Sequence, residues 1–137
     1  VCHRITFLYG HLYEHDQLND LTHRNLHELF GVANIKSFEH LALLSRKGYV
    51  VNADGDEAYL PYAERMAIPI TFISGQENEC FLPESTNQTV SFLSAANSPD
   101  LYNRIVIPEY GHIDCIFGKN AAVDVYPHIY QHLENTQ

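Results

Sequence analysis

Positive charge is scarce in this chain. Its 137 residues hold 8 lysines and arginines against 17 aspartates and glutamates, a formal net charge of -9. Phosphate backbones are gripped by basic faces, so nucleic acid is not an expected partner. Long apolar runs are missing too. None approaches the roughly 18 residues of a membrane-crossing helix, and no stretch has the order of a signal peptide. Three cysteines allow at most one internal disulfide, which excludes a disulfide scaffold. There is no His-Glu-x-x-His pattern, no internal repeat and no low-complexity linker. The acidic cluster around Asp54-Gly55 is not a calcium loop. With Gly55 at the sixth place of such a loop, Val50 and Pro61 fall at the first and twelfth, where carboxylates belong.

What is present is an ordinary globular composition. Apolar residues make up 45%, enough for one packed domain. Nine histidines make solubility depend on pH near neutrality. The composition fits a soluble chain, and nothing in it fixes a compartment. The chain opens at Val1 directly in an apolar stretch, which suggests a fragment, a processed product or a chosen truncation.

Residues 1–48 read as helical, with Ile5, Leu8, Leu12, Leu18, Leu21, Leu26, Leu29 and Phe30 at broken three-to-four spacing. A helix opens at Ser37 as N-cap, carries Phe38, Leu41, Ala42 and Leu44 on one face, and stops at Gly48 after Arg46 and Lys47. Tyr49 to Val51 reads as a short strand, and Asp54-Gly55 as the turn of a small hairpin. Ile68 to Ser74 is a buried strand, with Pro69 near its start. Pro83 opens a helix that runs to Ala96 with Val90, Phe92 and Leu93 inward, and Asn97-Ser-Pro99 ends it. Arg104 to Pro108 is a second strand. A last helix runs from Asp124 as N-cap to Glu134, with Val125, Tyr126, Ile129 and Leu133 on its apolar face. The expected fold is α/β. Residues 1–66 form a mainly helical segment with a short hairpin. Residues 67–137 form a right-handed strand–helix–strand–helix unit with parallel strands. Two parallel strands are too few for a sheet covered on both faces, so further strands are expected upstream or in a partner.

In parallel sheets, functional groups gather beyond the carboxyl ends of the strands. Two such loops exist here, Gly75 to Pro83 and Glu109 to Cys115. One offers amide and carboxylate groups and the other offers His112 on a glycine turn. Together they suggest a base with an orienting partner. Cys80 and Cys115 lie in the same two loops; free thiols are the expectation, with a disulfide as the alternative. His11 with His15, and His23 with His27, stand at helical spacing and are weighed as metal pairs against a solvated helix face. Asn87-Gln-Thr is a glycosylation sequon that has meaning only in a secreted chain.

These stretches resemble the C-terminal half of an α/β-hydrolase of the acid-lipase and gastric-lipase branch. The resemblance runs through Ile68 to Ser74, Gly75 and Pro83, the Ile-Pro-x-Tyr-x-His-x-Asp of Ile107 to Asp114, and the Val-Tyr-x-x-Ile of Val125 to Ile129. Thr22-His23 and the surrounding helices look like that family's cap. More narrowly, His27 to Gly31 and Gly111 to Asn120 are similar to the hydrolase segment attached to cholesterol-oxidase-like members of the glucose–methanol–choline oxidoreductases. The resemblance implies His112 as general base and places the family's acid at the position of Asn78. An amide there can orient the imidazole by accepting its N–H but supplies no charge. Glu77 and Glu79 are the substitutes at hand, with an acid from the absent strand before the cap as the other alternative, and Asp114 is read as holding the turn instead of doing chemistry. The family's nucleophile sits on a Gly-x-Ser-x-Gly elbow. No two glycines here stand four apart, so the nucleophile is expected outside this chain, which alone should turn over no ester. The implied substrate is an apolar or lipid-like ester, with no cofactor. The implied partner is the remainder of the same hydrolase domain or an oxidoreductase domain. The second reading is a non-catalytic hydrolase-like module docked beside an oxidoreductase.

Overall fold

The computed structural model describes residues 2–32 and 34–136. Val1 and the side chain of Leu8, both used in the reading above, lie outside what is described. The chain folds as a mixed helix-and-sheet structure. Helices α1 (Cys2–Tyr9), α2 (Asp20–Leu29) and α3 (Ile35–Lys47) come first. After a 3-10 stretch at Leu60–Met66 follow β1 (Ile70–Gly75), α4 (Pro83–Ala96) and β2 (Tyr102–Ile107). Short helices α5 (Asp114–Phe117) and α6 (Ala121–Asp124) lead into α7 (Tyr126–Asn135).

The two strands pair in parallel, from Ile70 opposite Tyr102 to Gly75 opposite Ile107. Their alternation sorts the core into two layers. Ile70, Phe72 and Tyr102 point to one face and pack with Val90 and Leu93 of α4 and with Ala63. Arg104, on the same face, donates to Thr86 Oγ1 and Pro83 O and pins the N-terminus of α4. Ile73, Ile105 and Ile107 point the other way, onto Ala121, Val125 and Tyr110. On that side Thr71 Oγ1 lies 2.9 Å from His132 Nδ1 of α7. Ile70 to Ile73 are nonetheless only half-buried. Each strand is paired along one edge only among the described residues, and a two-stranded sheet shields little.

A third cluster joins Ile5, Leu12, Tyr13, Leu18 and Leu26 from the N-terminal segment. Cys80 and Ile113 pack against it, so the helical segment closes over the two loops at the strand ends.

Several boundaries differ from the reading of the sequence. The third helix is capped by Asn34, whose side chain accepts from Lys36 N at 2.9 Å, and Ser37 lies inside it. Gly48 ends that helix with φ 76°, as its position required. The helix buries no residue, so its Phe38–Leu44 stripe is not core, and Leu41 is 47% exposed. Leu21 and Leu29 are exposed too, while Leu18 and Leu26 are buried. No strand forms at Tyr49 to Val51, and hence no hairpin. Asn52 organises the loop instead, its Oδ1 accepting from Asp54 N and Asp56 N. A side chain that satisfies local amides removes the need for a strand partner. The Asp54-Gly55 turn is present, with Gly55 at φ 87°.

The strands begin and end one or two residues from their expected limits; β1 starts at Ile70, after Pro69, which has no N–H to donate. The last helix is broken at Val125, whose φ of -116° ends α6 before α7 begins at Tyr126. Asp124 is therefore not an N-cap; its carboxylate accepts from Tyr110 Oη at 2.7 Å. Of the expected apolar face, Val125 is buried while Ile129 and Leu133 are exposed. Phe92 of α4, expected inward, is 42% exposed, and Leu93 beside it is buried.

Candidate functional site

The carboxyl ends of β1 and β2 lie side by side, and their loops are stitched together at once. Gln76 N donates to Ile107 O at 2.8 Å, and Glu77 N donates to Tyr110 O at 2.9 Å. Gly75 permits this closeness: a Cβ there would sit 2.1 Å from Gly111 O and 2.2 Å from Tyr110 O. The turn after β2 carries Glu109 at φ 63°, a left-handed conformation that non-glycine residues rarely adopt.

The N-terminal segment straps this turn from the other side. Leu12 O accepts from both His112 N and Ile113 N at 2.9 Å. Gln17 Nε2 donates to Glu109 O at 3.0 Å. Asp114, fully buried, accepts at Oδ2 from Gly111 N at 2.8 Å and from Glu14 N at 3.2 Å. This carboxylate holds the turn and ties it to the 12–17 loop. Its other oxygen, Oδ1, has no hydrogen-bond partner among the described residues.

Asn78 and His112, 34 residues apart, meet where these two loops come together: Asn78 Nδ2 lies 3.3 Å from His112 Nδ1. Asn78 is 5% exposed. Its Oδ1 is already engaged, accepting from Cys80 N at 3.1 Å and Phe81 N at 2.9 Å. The expected geometry is thus reversed. The amide presents its nitrogen, not its oxygen, to the imidazole, because the loop's own backbone amides take the oxygen. One side chain thus fills both a local capping role and the contact with the histidine. The Phe81 ring stands 5.0 Å from the imidazole at 54°. Burial lowers the pKa of His112 from its ordinary value, and the nearby Asp114 carboxylate opposes that shift in part.

Glu77 contributes a backbone amide to the site rather than a carboxylate. Its side chain is exposed and makes no ion pair among the described residues. Cys80 and Cys115 are both free thiols. Burial raises the pKa of Cys80. Burial, with help from Asp114, pushes that of Cys115 up to about 11, and its Sγ lies 3.4 Å from Gly111 O. Burial and the bond to Asp124 also raise the pKa of Tyr110.

Of the two histidine pairs read from spacing, His23 and His27 both lie on α2, while His11 and His15 share no helix. His11 lies outside any helix, with Nδ1 3.4 Å from Glu14 Oε1, and His15 lies in a separate 3-10 turn. His27 Nδ1 lies 3.0 Å from Arg24 O on α2. The fold instead brings the rings of His15 and His23 to 5.1 Å, with Tyr13 beside both. No group of three histidine, cysteine, aspartate or glutamate side chains is placed to hold a metal among the described residues. None of their helices is long and apolar enough to cross a membrane. Leu12, Glu14 and Gln17 were not recognised from sequence. Their roles are carried mostly by backbone atoms, which leave no residue signature. The chain matches no family model, no curated protein and no solved structure.

Proposed function

We propose that this chain is the C-terminal portion of an α/β-hydrolase-type ester hydrolase. In that reading it supplies the histidine half of an active site whose nucleophile lies outside it. The observation that carries the proposal is the Asn78–His112 contact at the carboxyl ends of two parallel strands. This is where open α/β sheets place their chemistry, and the pairing of a histidine with a side chain from the neighbouring loop is the base-and-orienter half of a triad. The helical segment packed on these loops buries Leu12, Tyr13 and Leu26 in its own core and would stand where a cap shields an apolar ester. The test is turnover of short-chain nitrophenyl esters by the protein that joins these residues to a nucleophile-bearing segment. His112→Ala should lower kcat/KM at least ~10³-fold, the cost typical of losing a triad base. The isolated chain should turn over nothing. Activity that survives His112→Ala undiminished refutes the proposal.

A second reading is favoured by one observation, the direction of the Asn78 amide. A nitrogen facing Nδ1 cannot orient the ring as a carboxylate would. That arrangement suits a non-catalytic hydrolase-like module docked beside an oxidoreductase. Full-length protein with an intact nucleophile elbow and no ester turnover would support this reading over the first.

A further inference from the structure

The two ends of the Asn78 side chain are not interchangeable. Its Oδ1 receives two backbone N–H groups, from Cys80 and Phe81. Rotating the amide by a half-turn would set its NH₂ against both of those donors and leave them unsatisfied in a part-buried loop. The network therefore fixes which atom faces the histidine, a choice that hydrogen-bond partners decide. An amide nitrogen only donates, so the ring atom it meets must carry a lone pair.

We infer that Asn78 is a positioning residue that holds His112 as the neutral Nε2–H tautomer, so that the ring at rest offers a ligand oxygen a hydrogen-bond donor at Nε2 rather than a base. The inference rests on the same two residues as the proposed function and adds a condition to it: His112 acts as that reading's base only after its tautomer shifts. Its readout is the protonation of a ring and not turnover, so the two can fail separately.

Three features support it. The contact joins side chains from two different loops, each held by backbone bonds to the other, so the geometry is not a chance meeting of mobile groups. Adding a proton at Nδ1 would set N–H against NH₂, and burial likewise disfavours the charged ring. Phe81, whose own N–H holds the amide, also packs its ring on the imidazole, so one residue fixes both partners. The consequence for chemistry is definite. For His112 to take a proton at Nε2, the ring proton must first move to Nδ1, and the amide must turn over and release the Cys80 and Phe81 amides. The ligand chemistry that fits the resting site is an acceptor oxygen, such as an ester carbonyl or a carboxylate.

The test is nitrogen-15 NMR of the uniformly labelled full chain at a pH where His112 is neutral, with His112→Gln used to assign its ring signals among the nine histidines. The expected result is a lone-pair-type Nδ1 and a proton-bearing Nε2, with a preference of ~10-fold or more, because the alternative forfeits two hydrogen bonds. Asn78→Asp keeps acceptors for Cys80 and Phe81 and presents a second oxygen to the ring. It should reverse the tautomer to Nδ1–H without unfolding the loop. Asn78→Ala should leave a mixture if the loop stays folded. A wild-type ring with its proton on Nδ1 overturns the inference. So does an Asn78→Asp variant that stays folded and keeps the wild-type tautomer.

Discussion

Gly75→Ala is the substitution whose cost can be worked most directly from the structure. Gly75 is buried at the end of β1, and the added Cβ would meet the carbonyl oxygens of Gly111 and Tyr110 at 2.1 and 2.2 Å and the Tyr110 carbonyl carbon at 2.6 Å. These are backbone atoms and cannot rotate away. The turn would have to retreat by roughly 1 Å or more, which in a packed interior costs about 1–3 kcal/mol. That retreat also breaks or stretches the bonds from Gln76 N to Ile107 O and from Glu77 N to Tyr110 O, each worth about 1 kcal/mol net. The total is about 3–5 kcal/mol, a large share of the roughly 5–15 kcal/mol that holds a domain folded. Urea unfolding followed by far-ultraviolet circular dichroism should show a lower midpoint with an unchanged slope. The Asn78–His112 contact should be lost in whatever fraction remains folded. A loss below about 1 kcal/mol, with that contact intact, would refute the claim that the two loops are held at contact distance by a missing side chain.

Other outcomes follow from the titrating groups. The folded-state pKa of His112 lies below its ordinary value of 6.5, so the unfolded chain binds the extra proton first. Stability contributed by the neutral ring is full above that value and is lost as pH falls through it, flattening again once the folded ring is charged. The stability difference between wild type and His112→Gln should therefore shrink between about pH 7 and pH 5, and a difference that grows on acidification contradicts the assignment. Cys80 and Cys115 both have raised pKa values. Iodoacetamide should label them slowly in the native protein near neutral pH and readily after denaturation. The native mass without reduction should show no Cys80–Cys115 disulfide. Rapid native labelling of Cys115 would contradict its placement against Gly111 O.

The parts of the fold that were legible in the sequence are those fixed locally. Pro83 and Asn97 bracket α4 at the limits expected, because proline suits a first helical turn and nothing nearby competes. Gly48 ended α3 for the same kind of reason. What was misread depended on partners distant in sequence or on rival side chains. Ser37 looked like a cap, but Asn34 three residues earlier took the role. Tyr49 to Val51 has the composition of a strand, yet Asn52 satisfies the following turn and no neighbouring strand is at hand. The Phe38–Leu44 stripe has helical periodicity, but periodicity does not say what a face packs against. At the site, the meeting of Asn78 with His112 was anticipated and the sense of that meeting was not. The direction of an amide is set by Cys80 and Phe81 backbone N–H groups, which no residue type reveals. Asp114 was read as a holder of the turn, and it accepts from Gly111 N and Glu14 N.

The pairing of Asn78 with His112 is the claim on which the rest depends. It is tested most directly by following the His112 ring through a pH titration by NMR in wild type and in Asn78→Asp. The account predicts a midpoint below 6.5 in wild type, where burial dominates. It predicts a midpoint raised by at least about one unit in the variant, where a carboxylate 3–4 Å from the ring would favour the charged form. Coincident midpoints in two folded proteins would contradict the account, because a carboxylate placed against Nδ1 cannot leave the imidazole unmoved.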